Sequence, residues 1–200
     1  MRLNRDFFSH PTLDVAKALL GKRLVRVEED GVLSAGLIVE TEGYVGTDDM
    51  GCHARAGRTK RNRSMWGAPG HAYVYFTYGM HYLLNVVTEM EGFPAAVLIR
   101  AILPIEGVER MRVRRRGKPE RILTDGPAKL TQALALDLAF DGVDLCSVDS
   151  TLFLEEGVSV DPDKIVAKPR VGLFSVPEPW KSIEWNYRIQ TAELKLRLDD

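Results

Sequence analysis

"KRLVRVEEDGVLSAGLIVETEGY", residues 22–44, alternates apolar and polar side chains along much of its length on either side of Asp30-Gly31. Asp-Gly supplies the left-handed backbone that a tight hairpin turn needs, so the stretch predicts two antiparallel strands in immediate succession. Such a pair needs no crossover helix, and it sets the character of the sheet around it. Upstream, "PTLDVAKALLG" (11–21) carries apolar residues at helical spacing and a stopping glycine. Downstream, "HAYVYFTYGMHYLLN" (71–85) reads as a strand entering a turn at Gly79, and "AAVLIRAIL" (95–103) as a buried strand. Pro104 is read as the start of a helix through an arginine-rich segment, and "PAKLTQALAL" (127–136) as another helix. "TLFLEE" (151–156), "KIVAKPRVGLF" (164–174) and "IEWNYRI" (183–189) read as strands, with residues 191–200 as a C-terminal tail. Residues 46–70, dense in glycine and charge, predict a long ordered loop. The expected fold is mixed α/β (α+β): a single compact domain over residues 1–200 with a curved, largely antiparallel β-sheet, flanking helices and long ordered loops.

Composition bounds the function. A 200-residue chain with 45% apolar side chains suits one well-buried core. Its apolar runs fall far short of the roughly 20 residues of a membrane span, so no membrane partner is expected. "MRLNRDFF" lacks the apolar stretch of a secretory signal. Cys52 and Cys146 form no CxxC pair, which argues against a disulfide framework or a zinc cage and points to a reducing cytoplasm. The net charge of -1 conceals an uneven distribution. "RAGRTKRNR" (55–63) holds five cations and no acid, and "RMRVRRRGKPER" (110–121) holds seven against Glu120. Each could be a solvated face; together they could supply a phosphate-binding surface, which needs local potential rather than a high overall pI.

Strand alternation places Glu40, Glu42 and Tyr44 on one face, with Val39 and Thr41 on the other. An ion pair with one of the many arginines would explain either glutamate. A carboxylate beside an aromatic floor and a cationic rim can also activate water and balance positive charge developing on a sugar. In residues 71–85, Tyr73 and Tyr75 share a face while Val74 and Phe76 share the opposite, core-directed one. Tyr78, just before the turning glycine, is a candidate wedge between base pairs, and the other rings could sandwich an extruded base. Aromatic faces also favour a base made cationic by alkylation.

"LIVETEGY" (37–44), "CHARAGRTKRNRSMW" (52–66), "PGHAYVYFTYGMHYLLNVV" (69–87), "AAVLIRAILPIEG" (95–107) and "DGPAKLTQALAL" (125–136) together resemble the alkyladenine DNA glycosylase, or 3-methyladenine DNA glycosylase, family. The likeness runs in order from Leu3 to the neighbourhood of Tyr187. It implies that Glu42 is the general base, with Arg100 assisting around the catalytic water. It further implies that Tyr44 and Tyr75 enclose the flipped base, that His53 closes the pocket and hydrogen-bonds the base, and that Asn85 crowds the 2-amino group of normal guanine. Tyr78 would be the intercalating side chain. Arg58, Arg61, Arg63 and Lys129 are then candidate phosphate contacts, inferred from charge. The likeness departs at Gly51 and Cys52, where the family more often has residues such as alanine or serine, so a reshaped pocket wall is expected.

The resemblance implies a monofunctional glycosylase acting on double-stranded DNA that contains damaged purines, without cofactor or metal and as a monomer. Its location would be cytoplasmic and nucleoid-associated in a prokaryote, or nuclear in a eukaryote. No lysine is placed beside Glu42 for a Schiff base, so hydrolysis without backbone cleavage is expected. Two other readings fit some of the residues. One is a carbohydrate-active hydrolase with Glu40 and Glu42 as its acid and base. The other is a non-catalytic nucleic-acid-binding module, for which the carboxylates would be a liability. A metal site from Asp48, Asp49, Cys52 and His53 lacks the zinc deaminase signature.

Overall fold

A computed structural model describes residues 1–190; the tail expected at 191–200 lies outside the described residues. The chain opens with two short helices, α1 (Arg5–Phe8) and α2 (Thr12–Ala18), then forms the hairpin of β1 (Arg23–Val27) and β2 (Leu33–Val45). Val27 pairs with Leu33, and the turn between them contains Gly31 at φ 79°. After a long excursion come β3 (Ala72–Thr77), β4 (His81–Val87) and β5 (Ala95–Glu106). Helices α3 (Val108–Arg114) and α4 (Pro127–Ala133) follow, then the short strands β6 (Leu152–Glu155), β7 (Val166–Lys168) and β8 (Asn186–Arg188). One eight-stranded antiparallel sheet results, in the order β3-β4-β5-β2-β1-β6, with β8 joining β2 to β7.

The length of β2 positions the site. One edge of β2 pairs with β5, whereas the other is shared: β1 takes residues 33–37 and β8 takes 40–42. Glu40 and Glu42 therefore lie inside the sheet. The β2–β5 register also shifts twice here. Ile38 faces Ile102 and Glu40 faces Ala101, which leaves Val39 as an extra residue; Thr41 then faces Ile99, which leaves Arg100 extra on β5. Bulges re-aim side chains, and this one delivers the Arg100 guanidinium to both glutamates.

Alternation divides the sheet into two faces. Val74, Leu84, Val86 and Ile99 pack with Phe8, Leu19, Met111 and Leu130 in the main core, where the helices cover the sheet. Thr41 points to this side and donates to the Ala16 carbonyl of α2 at 2.7 Å. Truncating a leucine such as Leu19 here would cost about 2–5 kcal/mol. On the opposite face Tyr73, Val87 and Ala96 pack with Cys52, Ala54 and Met65 from the 46–70 excursion. That excursion is ordered by 3-10 turns at His53–Ala56 and Arg63–Trp66 and by Asn62, whose side-chain amide donates to the carbonyls of His53 and Gly57.

Four expectations need correction. Pro104 belongs to β5, and the helix starts later at Val108; a register shift beside Gly36 leaves Ile105 extra, and a proline without an N–H is tolerated at such a bulge. Phe76 is 41% exposed, because β3 runs past the helical layer, and it packs on Tyr82 instead of the core. Residues 164–174 contribute only Val166–Lys168 to the sheet, and residues 183–189 only Asn186–Arg188. Between them the chain leaves the sheet because Arg170 turns inward, fully buried, to Asp49.

Candidate active site

Tyr44, His53, Tyr73, Tyr75, Asn85 and Arg100 wall a cavity of about 190 Å³ whose remaining boundary includes Gly51, Met65, Tyr78 and the 171–173 backbone. Pockets for drug-sized ligands run about 300–1,000 Å³, so this one suits a single planar base. A larger groove of about 920 Å³ lies between β5 and β7 and touches the cluster only at Glu40. It lacks the rings, so the chemistry favours the smaller cavity.

Glu42 is fully buried and sits behind that wall. Its carboxylate accepts four hydrogen bonds: Oε2 from the Tyr44 hydroxyl at 2.8 Å and Arg100 Nη1 at 3.2 Å, Oε1 from the Val171 backbone N–H at 2.7 Å and Asn186 Nδ2 at 3.0 Å. An ionised carboxylate offers about four acceptor directions, so each has a protein partner. Burial, and next the neighbouring Glu42 charge, hold the Tyr44 hydroxyl well above its usual range, so it remains a donor. Glu40 shares the cluster: its Oε1 accepts from Arg100 Nε at 2.9 Å and from Asn186 Nδ2 at 2.8 Å. The two carboxylates thus meet at one amide nitrogen and one guanidinium, with no space between them for a sugar. That counts against the carbohydrate-hydrolase reading, which requires a scissile bond flanked by the pair.

Around the cavity, the His53 ring stands edge-on to Tyr75 with centroids 4.5 Å apart, and its Nδ1 lies 2.8 Å from the Tyr73 hydroxyl. Burial, then Arg61 and Arg55, push the imidazole down to about 4, so His53 is neutral at physiological pH although the residue as a whole is exposed. Burial pushes the Tyr75 hydroxyl up to about 12. The buried Cys52 thiol is likewise pushed up to about 12 by burial, so no thiolate is available as a nucleophile at neutral pH. Asn85 is buried, with its side-chain amide donating to the Tyr73 carbonyl at 3.0 Å. Asp49 accepts from Arg170, and His53 Nδ1 lies against the Tyr73 hydroxyl, so both side chains are already partnered.

Tyr78 stands at the tip of the β3–β4 hairpin, 84% exposed. It and Gly79 have φ of 51° and 68°, the consecutive left-handed pair of a tight hairpin turn. Holding a tyrosine in this conformation costs about 1–2 kcal/mol relative to the usual backbone. The position accepts that strain while projecting a large ring into solvent.

The cationic segments differ in their partners. Arg110 pairs with Asp30, Arg112 with Glu109 and Arg114 with the buried Glu28, so these arginines serve the fold. Lys129 pairs with Asp125 on the exposed start of α4 and does not line the cavity. By contrast Arg55, Arg58, Lys60, Arg61 and Arg63 make no ion pair with a carboxylate among the described residues. Arg61 donates to the Phe76 carbonyl at 3.1 Å and its guanidinium lies 5.2 Å over the Tyr75 ring. An uncompensated positive rim beside an aromatic pocket is the electrostatic footprint of a nucleic-acid enzyme.

Sequence reasoning singles out Glu42, Tyr44, His53, Tyr75, Tyr78, Asn85 and Arg100; the structure brings the last six around one cavity and sets Glu42 behind its wall, bonded to Tyr44 and Arg100. It does not single out Tyr73, Val171 or Asn186 as site residues. Tyr73 could have been inferred from the face it shares with Tyr75; Val171 and Asn186 carry no local signal, since they reach Glu42 only through the tertiary fold.

Residues 6–193 match the family described as methylpurine-DNA glycosylase (MPG). The chain is 51% identical over 173 residues to a protein of Carboxydothermus hydrogenoformans, covering 86% of this chain and 89% of that one. It is 48% identical over 189 residues to one of Methanocella arvoryzae, covering 92% of each, and 45% identical over 181 residues to one of Chlorobaculum parvum, covering 90% and 86%. All three bear the name "Putative 3-methyladenine DNA glycosylase". A buried carboxylate behind an aromatic pocket on an antiparallel sheet, with these relatives, defines a base-releasing enzyme of DNA repair. The chain belongs to the methylpurine-DNA glycosylase family and is a DNA glycosylase.

Proposed function

We propose that the protein is a monofunctional glycosylase that turns alkylated or deaminated purines, the 3-methyladenine, 7-methylguanine and hypoxanthine class, out of duplex DNA and hydrolyses the N-glycosidic bond with a water activated by Glu42. The observation that carries this reading is the placement of the Glu42 carboxylate directly behind Tyr44 and Arg100, two walls of a base-sized cavity with an exposed tyrosine at its mouth.

Tyr78 fills the space left in the duplex, while Tyr44 and Tyr75 enclose the extruded base. His53, neutral and held by Tyr73, contributes hydrogen bonding without adding charge, and Asn85 crowds the 2-amino group of guanine. Water enters the Glu42 cluster by replacing its longest contact, the 3.2 Å bond from Arg100 Nη1. It attacks the sugar carbon as the C–N bond breaks; the bonding electrons leave with the purine, the water proton passes to Glu42, and the anionic cluster balances the cationic sugar. The products are a free base and an abasic site. Alkylation at N3 or N7 makes the purine a better leaving group, and damaged bases are cheaper to unstack.

Among the cavity-lining residues no lysine is present, which supports hydrolysis without backbone cleavage. One pocket suffices for one extruded base, so the enzyme acts as a monomer. Glu42→Gln tests the reading: it should bind a hypoxanthine-containing duplex as well as the parent and release base at least about 100-fold more slowly. Undiminished release would overturn the role of Glu42, and a borohydride-trapped protein-DNA adduct would overturn the hydrolytic mechanism.

A further inference from the structure

We propose that Glu40 is a positioning residue for the reaction: it anchors Arg100 through Nε so that Nη1 can release Glu42 to the attacking water without the guanidinium collapsing onto the base. This rests on the reading of Glu42 as general base. The bulge at Arg100 brings one guanidinium to two carboxylates, but unequally. Nε to Glu40 is 2.9 Å, while Nη1 to Glu42 is 3.2 Å. Arginine prefers a two-pronged grip on a single carboxylate. Here the grip is divided, and Asn186 reinforces the division by donating one amide nitrogen to both acids, at 2.8 Å to Glu40 and 3.0 Å to Glu42.

The division has two consequences for Glu42. A guanidinium free of Glu40 would close on Glu42 with both prongs, occupy the direction that water must take, and make the carboxylate a weaker base. Glu40 also contributes a negative charge that offsets Arg100 beside Glu42. The other groups facing Glu42 do not substitute for it. Tyr44 on β2 and Tyr75 on β3 stay neutral, with their hydroxyls held up by burial. Asn186 on β8 is uncharged, and Arg170 is neutralised by Asp49 in a fully buried pair.

The test compares pH profiles of single-turnover base release from a hypoxanthine duplex for the parent, Glu40→Gln, Glu40→Asp and Glu42→Gln. Glu40→Gln keeps shape and an acceptor oxygen, so it should bind the duplex normally. Its maximal rate should fall about tenfold or more, and the acid limb of its profile should move to lower pH, the direction set by loss of an adjacent negative charge. Glu40→Asp, which keeps the charge, should hold the limb near the parent position even if its shorter stem lowers the rate. A merely structural role would change stability or binding in both variants and leave the limb in place. An unmoved or upward-moving limb in Glu40→Gln, with Glu42→Gln inactive, overturns this proposal and leaves the base assignment standing. Retained activity in Glu42→Gln overturns both.

Discussion

Arg170 donates two hydrogen bonds to Asp49, at 2.5 and 2.7 Å, and neither side chain reaches solvent. The pair joins the 46–70 excursion to the segment that delivers the Val171 N–H to Glu42, and the guanidinium also lies over the Tyr44 and Trp185 rings, 4.7 and 5.0 Å from their centroids. Removing one partner leaves an uncompensated buried charge. Asp49→Ala should therefore cost about 3–5 kcal/mol of stability in a denaturant titration, and Asp49→Asn less, since the amide can still accept one of the bonds.

Tyr78 separates stability from function. Tyr78→Gly removes a residue with no buried packing and relieves a left-handed backbone, so unfolding stability should be unchanged or raised by up to about 1 kcal/mol. Base release from duplex DNA should nevertheless fall by at least tenfold, and release from single-stranded DNA should change much less. Equal losses on both substrates would show that the ring does not serve extrusion.

His53 should titrate near pH 4 when its imidazole is followed by NMR. Because burial is the larger cause and Arg61 the second, Arg61→Gln should raise this value only part of the way toward 6.5. The sign for stability follows directly: the unfolded chain takes up this proton near 6.5 and the folded chain near 4, so His53 lowers stability as the pH falls through that window. Base release between pH 6 and 8 should show no inflection attributable to His53.

The two basic stretches should respond differently to salt. Neutralising Arg58 or Arg63 should lower the slope of log affinity against log salt by about 0.9 for each DNA phosphate that the side chain had paired with, read by anisotropy with a labelled duplex. Neutralising Arg110 or Arg112, whose guanidinia pair with Asp30 and Glu109, should leave that slope unchanged. Lys129→Gln should fall between, because Asp125 already neutralises part of its charge.

The hairpin of residues 22–44 is legible because turn chemistry and alternation agree there, and the same alternation places Glu40, Glu42 and Tyr44 on one face. Pro104 misleads because a strand bulge tolerates a residue that local rules assign to a helix start. Phe76 misleads because burial depends on how far a strand extends beyond its covering layer. In the stretch 110–121 the sequence hides that Arg110, Arg112 and Arg114 are paired with Asp30, Glu109 and Glu28, partners that only the tertiary fold or the helix brings to them. Asn186 and Val171, which complete the environment of Glu42, arrive from more than 120 residues away, so nothing local announces them.

Gly51 lies two residues before His53, and a methyl group there would come within 2.6 Å of Leu173 Cδ1 and 2.8 Å of Arg170 Nη2. Leucine can rotate aside, but the guanidinium is clamped. Pressure from so small an addition would pass through Arg170 into Val171 and reach the Glu42 carboxylate, so the bare backbone at this spot acts as clearance in a linkage whose far end is the buried acid.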